Sequence, residues 1–591
     1  MHTQLKLFLV FIAAAVLSLL LYFQIVQEQV DVLYVNATIH TMDDANSVAH
    51  AIAVRGDRIA GVGERGELEK QFRSTSVVDL EGKPVFPGFI DAHAHFVSLG
   101  FARLTVDLIG AASEREAADR VRLRLQQIQN PGTWIRGHGW DQNDWATKQF
   151  PTRAALDRVA PSHPVYLTRI DGHAIWVNSR ALEIAGVTAQ TADPPGGKIH
   201  RDAGGNPTGV FVDAAMQLVT AHLPPPSDDE ILEAAAIAGR ECVQYGLTSI
   251  HDMGVTDKEI ALFRRLIDQR QLPVRLYAAI DGVGETWKNF LQSGTLIGYG
   301  DNRLSVRAIK LYIDGALGSR GAALIEPYSD DPANRGLTLS TEDELRSATD
   351  EALAHGFQVC IHAIGDRGNN IVLNIYEAAL KAQPQSDARL RVEHAQVLHP
   401  SDIPRFKQLG ALPSMQPTHC TSDMYWAEAR LGAQRIKGAY AWRSLLETGV
   451  VIPGGSDFPV EHPNPLYGIS SASTRKDHDG RPQNASDVRK YFQLSREGLI
   501  DRTQFENGWY ASQAMSREEA IRSFTTWAAY SAFEENLKGS LEAGKLADFV
   551  VLSADLLQIP EAEILKTVVE RTVVGGKEVY RRATSVARSQ E

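Results

Sequence analysis

Hydrophobic and polar positions divide the chain into a β-rich start, a long alternating middle and a β-rich end. From Val30 to Val85, short apolar runs at Val32–Val35, Ala51–Val54 and Arg58–Val62 are separated by turn signals at Gly56-Asp57 and Glu81-Gly82. The C-terminal stretch has the same character: Leu546–Leu552 and Val568–Val574 read as strands, with Gly575-Gly576 as a hairpin turn. The two ends together predict one small composite β-sandwich, residues 30–86 plus 536–583.

Between them, residues 87–535 alternate strands with helices. The apolar run Pro84–Ile90 leads into a first strand. Ser227, with Glu230 three residues on, opens a helix that Gly246 closes, and Leu247–Asp252 follows as a strand. Further strands are expected at Arg275–Ile280, Val306–Ile313, Phe357–His362, Leu390–His394, Ala411–Gln416 and Val450–Asp457, with a helix opened by Thr341 and Glu344 before the fifth. Eight βα repeats predict an α/β fold, a TIM (β/α)8 barrel, whose chemistry lies at the C-terminal strand ends. A stretch at 97–226, rich in Trp, Gly, Pro and His, interrupts the count. It reads as a lid or binding element, or as a plain structural subdomain.

The N-terminal run Leu7–Phe23 is apolar except for Ser18 and follows Lys6. As a helix it would span ~25 Å, extendable through Val26 towards a ~30 Å hydrocarbon core. No small-x-small cleavage site follows Phe23, so residues 1–29 read as a membrane anchor rather than a cleaved secretory signal. Either reading places the body outside the cytoplasm, periplasmic or secreted if the segment is cleaved. A net charge of −12 without a dense Lys/Arg cluster excludes a nucleic-acid surface. Three scattered cysteines (Cys242, Cys360 and Cys420) exclude a disulfide framework or a Cys-based zinc site. Cys360, two before His362, reads as a small buried residue or as a group near a metal.

The segment Pro87-Gly-Phe-Ile-Asp-Ala-His-Ala-His-Phe96 ends in two histidines two apart. Side chains on a strand alternate faces, so His93 and His95 point the same way and make half of a metal site. With 18 histidines in 591 residues, about half of one such pair is expected by chance, so the later strand ends carry the argument. Lys310 sits inside an apolar strand, where a lysine is costly unless paired or chemically altered. His362, His394 and Asp457 each stand where an apolar strand gives way to a polar turn. Singly they have ordinary structural readings, Asp457 as a helix N-cap among them. Their joint occurrence at successive barrel positions favours a site.

This set, with the segments IDGALGSRGA, HAIGDRG, RVEHAQ and GSDFPV, resembles the amidohydrolase superfamily, and most closely amidohydrolase family 3, which includes N-substituted formamide deformylases. The HGWD and DGHAIWVNS pieces of the insertion share the likeness, which covers nearly all of 32–580. The resemblance implies a TIM barrel with a small β-sandwich from both chain ends. It implies that His93 and His95 hold one metal with Asp457, that His362 and His394 hold a second, and that carboxylated Lys310 bridges two zinc ions. A lysine left uncarboxylated would favour a single metal. Zinc suits these ligands, and manganese, cobalt or iron would also be accommodated. Metal binding brings the pKa of water from ~15.7 towards ~7, giving a hydroxide for attack on a carbonyl, with Asp457 as proton carrier. His138, His173, Asp314 and Arg320 are candidate substrate contacts. Purine and pyrimidine deaminases of the superfamily carry a glutamate shortly after the strand-five histidine. Here His362 is followed by Ala-Ile-Gly-Asp-Arg, which disfavours deamination.

The expected activity is therefore hydrolysis of a non-peptide C–N bond in a small amide or formamide. Alternatives are a cyclic-amide or N-acyl-amino-acid hydrolase, or a non-catalytic metal- or solute-binding barrel at the membrane. Expected partners are a small-molecule amide and, through residues 7–26, a membrane. No nucleic acid is expected, and a homo-oligomer is compatible with the sequence.

Overall fold

A computed structural model describes residues 27–126, 132–384, 387–483 and 507–583, together with Ile12, Ile128, Phe492 and Phe505. The expected anchor Leu7–Phe23 lies, Ile12 apart, outside the described residues. Among the described residues, no helix is long and apolar enough to cross a membrane.

Seven parallel strands form most of a barrel: Phe89–Ala94, Leu247–Val255, Arg275–Asp281, Leu304–Tyr312, Gln358–Ala363, Arg391–His394 and Leu412–Ser414. The eighth expected strand is not a regular one. Pro453 has no N–H to give a ladder, and the following Gly454-Gly455 weakens strand geometry. Single hydrogen bonds close the ring instead. On one side Met415 N–H donates to Pro453 C=O at 3.0 Å and Gly455 N–H to Met415 C=O at 3.1 Å. On the other, Ala92 N–H donates to Gly454 C=O at 3.0 Å and Asp457 N–H to His93 C=O at 2.7 Å. The Asp91 carboxylate reinforces that seam, accepting the Ser456 N–H at 3.0 Å and its hydroxyl at 2.6 Å.

Helices follow from local signals. Asp228–Gln244 and Glu342–Ala354 each begin with a complete capping box, Ser227 with Glu230 and Thr341 with Glu344. The short helix Phe96–Leu104 packs closely on Asp228–Gln244. A Cβ on Gly100 would lie 1.9 Å from the Ala234 carbonyl oxygen.

The apolar run before His93 serves two sheets. Pro84–Pro87 joins a separate eight-stranded sheet, and after Gly88 the chain enters the barrel. That sheet draws Glu28–His40, Val48–Arg55, Arg58–Gly63 and Phe72–Asp79 from one end, and Phe549–Leu552, Val569–Val574 and Lys577–Arg581 from the other. The two contributions meet where Val85 pairs with Val551 and Pro87 with Phe549. Alternation sends Ile52 and Val54 into one apolar cluster and Ala51 and Ala53 into another, on opposite faces. The sheet is tied to the barrel by a buried bidentate pair: Arg275 Nε and Nη2 donate to Asp548 at 2.7 and 2.9 Å.

Residues 97–226 contain a six-stranded sheet with its own core around Trp140, Trp145 and Trp176. Its spatial order is Val106–Asp107, Ile135–Trp140, Val165–Arg169, Ala174–Val177, Pro207–Asp213 and Gly197–Arg201, which follows the chain except for the last two strands. The stretch is thus a built subdomain, and its loops also face the barrel's C-terminal end.

Candidate metal centre

Four strand ends and the irregular eighth stretch deliver their polar residues to one place. His93 and His95 both turn towards Asp457, their Nε2 atoms 3.5 and 3.2 Å from Asp457 Oδ1. The His93 ring centroid is 4.7 Å from that of His394, which is 4.5 Å from that of His362. Lys310, 1% exposed, brings Nζ to 3.4 Å from His93 Nε2. His394 and Asp457 both adopt left-handed backbone, φ 73° and 61°, a conformation uncommon outside glycine that tends to persist at functional positions.

Hydrogen bonds behind the rings set their orientation. His93 Nδ1 lies 2.5 Å from Glu393 Oε2, and both side chains are fully buried. Arg391 forms an ion pair with the same carboxylate, Nε 2.7 Å from Oε1, while its Nη2 donates to Glu393 Oε2 at 3.1 Å and to Ser414 Oγ at 2.9 Å. His394 Nδ1 meets Gln416 Oε1 at 2.7 Å. Each backing acceptor takes an Nδ1–H and leaves Nε2 with its lone pair towards the centre.

The electrostatics favour neutral imidazoles. Burial, helped by nearby Lys310, lowers His93 to about 4. Burial also holds His362 and His394 well below the usual histidine range. Burial lowers Lys310 as well. Burial alone would raise Asp457, but the surrounding His93, His95 and His394 outweigh it and hold the carboxyl well below its usual range.

These residues fit a divalent cation. His362 Nε2, His419 Nε2 and Asp457 Oδ1 are buried atoms without a hydrogen-bond partner. Two sets of donor atoms, His93/His95/Asp457 and His394/His419/Asp457, each lie within 4.8 Å of one another. Neutral imidazole nitrogens and a carboxylate oxygen are the donors that zinc-like ions take.

The centre opens into a cavity of about 1570 Å³ between the barrel and the inserted sheet. Of the candidate substrate contacts, His138 and His173 line it. Asp314 and Arg320 do not. Asp314 is fully buried and accepts N–H groups from Ala323, Ile364 and Gly365 at 2.8 to 2.9 Å, securing the loop behind His362. Arg320 turns away to pair with Asp330 at 2.9 Å. Cys360 is a core residue packed with Tyr277 and Ala308, and burial pushes its thiol up to about 12. Asp366, the acid nearest after His362, accepts the Ile325 N–H at 2.8 Å and is absent from the cavity wall.

Sequence reasoning missed His419 and Glu393. His419 follows the three-residue strand Leu412–Ser414, in the first turn of helix Pro417–Asp423, and so lies three residues beyond the expected strand Ala411–Gln416 rather than at its end. Glu393 had a legible signal. In Arg391-Val-Glu393 the two charged residues fall on one face of a strand buried throughout, a placement that demands partners.

The sequence profile of the amidohydrolase family matches residues 76–580. The chain is 35% identical over 568 residues to Protein LONG AFTER FAR-RED 3 of Arabidopsis thaliana, covering 93% of this chain and 91% of that protein. It is 28% identical over 578 residues to the N-substituted formamide deformylase of Arthrobacter pascens, covering 94% and 99%. An uncharacterized metal-dependent hydrolase from Pyrococcus horikoshii OT3 superposes with a TM-score of 0.71 at 25% identity, over 90% of this chain and 99% of that one. With the barrel and the buried His/Asp centre in place, the chain belongs to the amidohydrolase family and is a metal-dependent hydrolase.

Proposed function

We propose that the protein hydrolyses a non-peptide carbon–nitrogen bond of a small amide or formamide. The observation that carries this reading is the gathering of donor atoms from His93, His95, His394, His419 and Asp457 into two sets around one carboxylate, at the wall of one large cavity. The similarity to a formamide deformylase over nearly the whole chain supports the bond type. So does the turning away of Asp366, which leaves no acid shortly after His362 on the cavity wall.

His93, His95 and Asp457 would hold one divalent cation, and His394 a second, with Lys310 and His362 as its expected further ligands and His419 also in reach of His394 and Asp457. A cation held there supplies Lewis acidity to a carbonyl and acidity to water. Lys310 suits the second position as a carbamate. Burial favours its neutral amine, which adds to CO2 with loss of a proton and becomes an anionic oxygen donor. Asp457 takes the proton of the attacking water and returns it to the leaving nitrogen. Glu393 keeps the His93 ring in one tautomer throughout.

The run Leu7–Phe23 supports an enzyme tethered to a membrane with its catalytic body exported.

Metal content per chain and turnover of N-formyl and N-acyl amines test the reading together. Two zinc-like ions and amine release are expected, and Asp457→Asn should lower kcat by about 10²–10⁴-fold while the fold persists. An Asp457→Asn variant with wild-type turnover, or a wild-type chain without bound metal after supply of zinc and bicarbonate, would overturn it.

A further inference from the structure

Among the residues that the inserted sheet brings to the cavity, one pair stands beside His362. His173, in the turn between Val165–Arg169 and Ala174–Val177, lines the cavity with its ring centroid 5.1 Å from that of His362. Its Nδ1 lies 2.7 Å from Asp213 Oδ1, and the Asp213 side chain is fully buried. The backbone joins the same two residues, Asp213 N–H donating to His173 C=O at 3.0 Å.

Asp213 is held by a barrel loop that has been hollowed to receive it. A Cβ on Gly315 would lie 2.6 Å from Asp213 Oδ2, and one on Gly321 2.4 Å from the same oxygen. Both glycines belong to the Asp314–Gly321 loop that follows the strand carrying Lys310. Asp213 itself takes φ 51°, a strained value for a residue with a side chain. Its Oδ2 has no hydrogen-bond partner. Two glycines and a strained backbone thus seat a buried acid against one imidazole, and that arrangement engages Nδ1 and leaves Nε2 as the nitrogen this cavity-lining ring has to offer.

We propose that His173 is a catalytic residue contributed by the insertion, its Nε2 hydrogen-bonding the amide group whose C–N bond breaks, with Asp213 as its positioning residue. This deepens the amide-hydrolase reading and rests on it for what occupies the cavity. The Asp314–Gly321 loop then has a definite role. It carries no substrate contact of its own at Asp314 or Arg320, and instead seats the carboxylate that aims His173.

The test uses the full metal-loaded chain and two probes, an N-formyl amine as substrate and acetohydroxamate as a small amide-like ligand. Wild type is compared with His173→Ala, His173→Gln, Gly315→Ala and the double variant His173→Ala/Gly315→Ala. Metal content should be unchanged. In His173→Ala, kcat/KM should fall at least about tenfold and the Kd of acetohydroxamate rise about tenfold, as loss of one hydrogen bond near charge predicts. Glutamine, which donates and accepts, should recover part of both. Gly315→Ala lies off the cavity wall yet should reproduce the defect, and the double variant should be no worse than His173→Ala. If Gly315→Ala fails to fold, Asp213→Asn takes its place. Unchanged kcat/KM and Kd in His173→Ala, or loss of metal from it, would overturn the proposal. If the wild-type chain turns over no N-formyl or N-acyl amine, the substrate reading falls, and the acetohydroxamate comparison alone decides the role of His173.

Discussion

Glu393 lies behind the centre and off the cavity wall, so its removal separates metal holding from substrate binding. Glu393→Ala frees the His93 ring and leaves Arg391 with an unpaired buried charge. Metal affinity should fall about 10–100-fold, read by competition with a chromophoric chelator, and Glu393→Gln should retain part of it. The outcome that sinks the idea is wild-type affinity in Glu393→Ala. At this scale the sequence was informative wherever chemistry contradicted its surroundings. Paired imidazoles at a strand end and a lysine inside an apolar strand are each hard to explain structurally, and the structure brings His93, His95, Lys310, His362, His394 and Asp457 together. Asp314 and Arg320 misled because a polar loop after a barrel strand looks the same whether it serves substrate or backbone N–H groups. His419 was silent because it lies past the expected strand Ala411–Gln416, in the first turn of the helix that follows.

Helix packing fixes the next level. Gly100 allows Phe96–Leu104 to rest directly on Asp228–Gln244, since any Cβ there would collide with the Ala234 backbone. Gly100→Ala should destabilise the protein by about 3 kcal/mol, seen as a lower urea midpoint, and a midpoint within error of wild type would refute the close approach. Most elements were legible from caps and apolar runs, as at Ser227 and Thr341. Two were not. Pro84–Ile90 reads as one run because a single glycine divides strands of two different sheets. Val450–Asp457 reads as a strand by composition, yet Pro453 withholds the N–H that a ladder needs.

The whole molecule depends on how its parts are joined. Burial would raise the Asp548 carboxyl, but the Arg275 guanidinium outweighs that and holds it below its usual range. The pair therefore stabilises the fold fully above the unfolded-state value of about 3.9, and that contribution is lost as pH falls through the lower folded value. Asp548→Ala should cost about 3–5 kcal/mol near neutrality and flatten the acid side of the stability profile. A variant whose stability still declines in parallel with wild type on acidification would contradict this. At the same scale, removal of residues 1–26 should move the protein from membrane to soluble fractions with turnover intact, and unchanged partitioning would refute the tether. The bond from Asp457 N–H to the His93 carbonyl has one further consequence. It joins the first and last members of the ligand set, 364 positions apart in the chain (457 minus 93), so the centre exists only once the ring has shut. During synthesis, a nascent chain that has emerged only as far as the sixth strand already displays most of its imidazoles and still lacks the acid that gathers them. Competence arrives late and all at once, and a prematurely terminated product carries histidines without becoming a hydrolase.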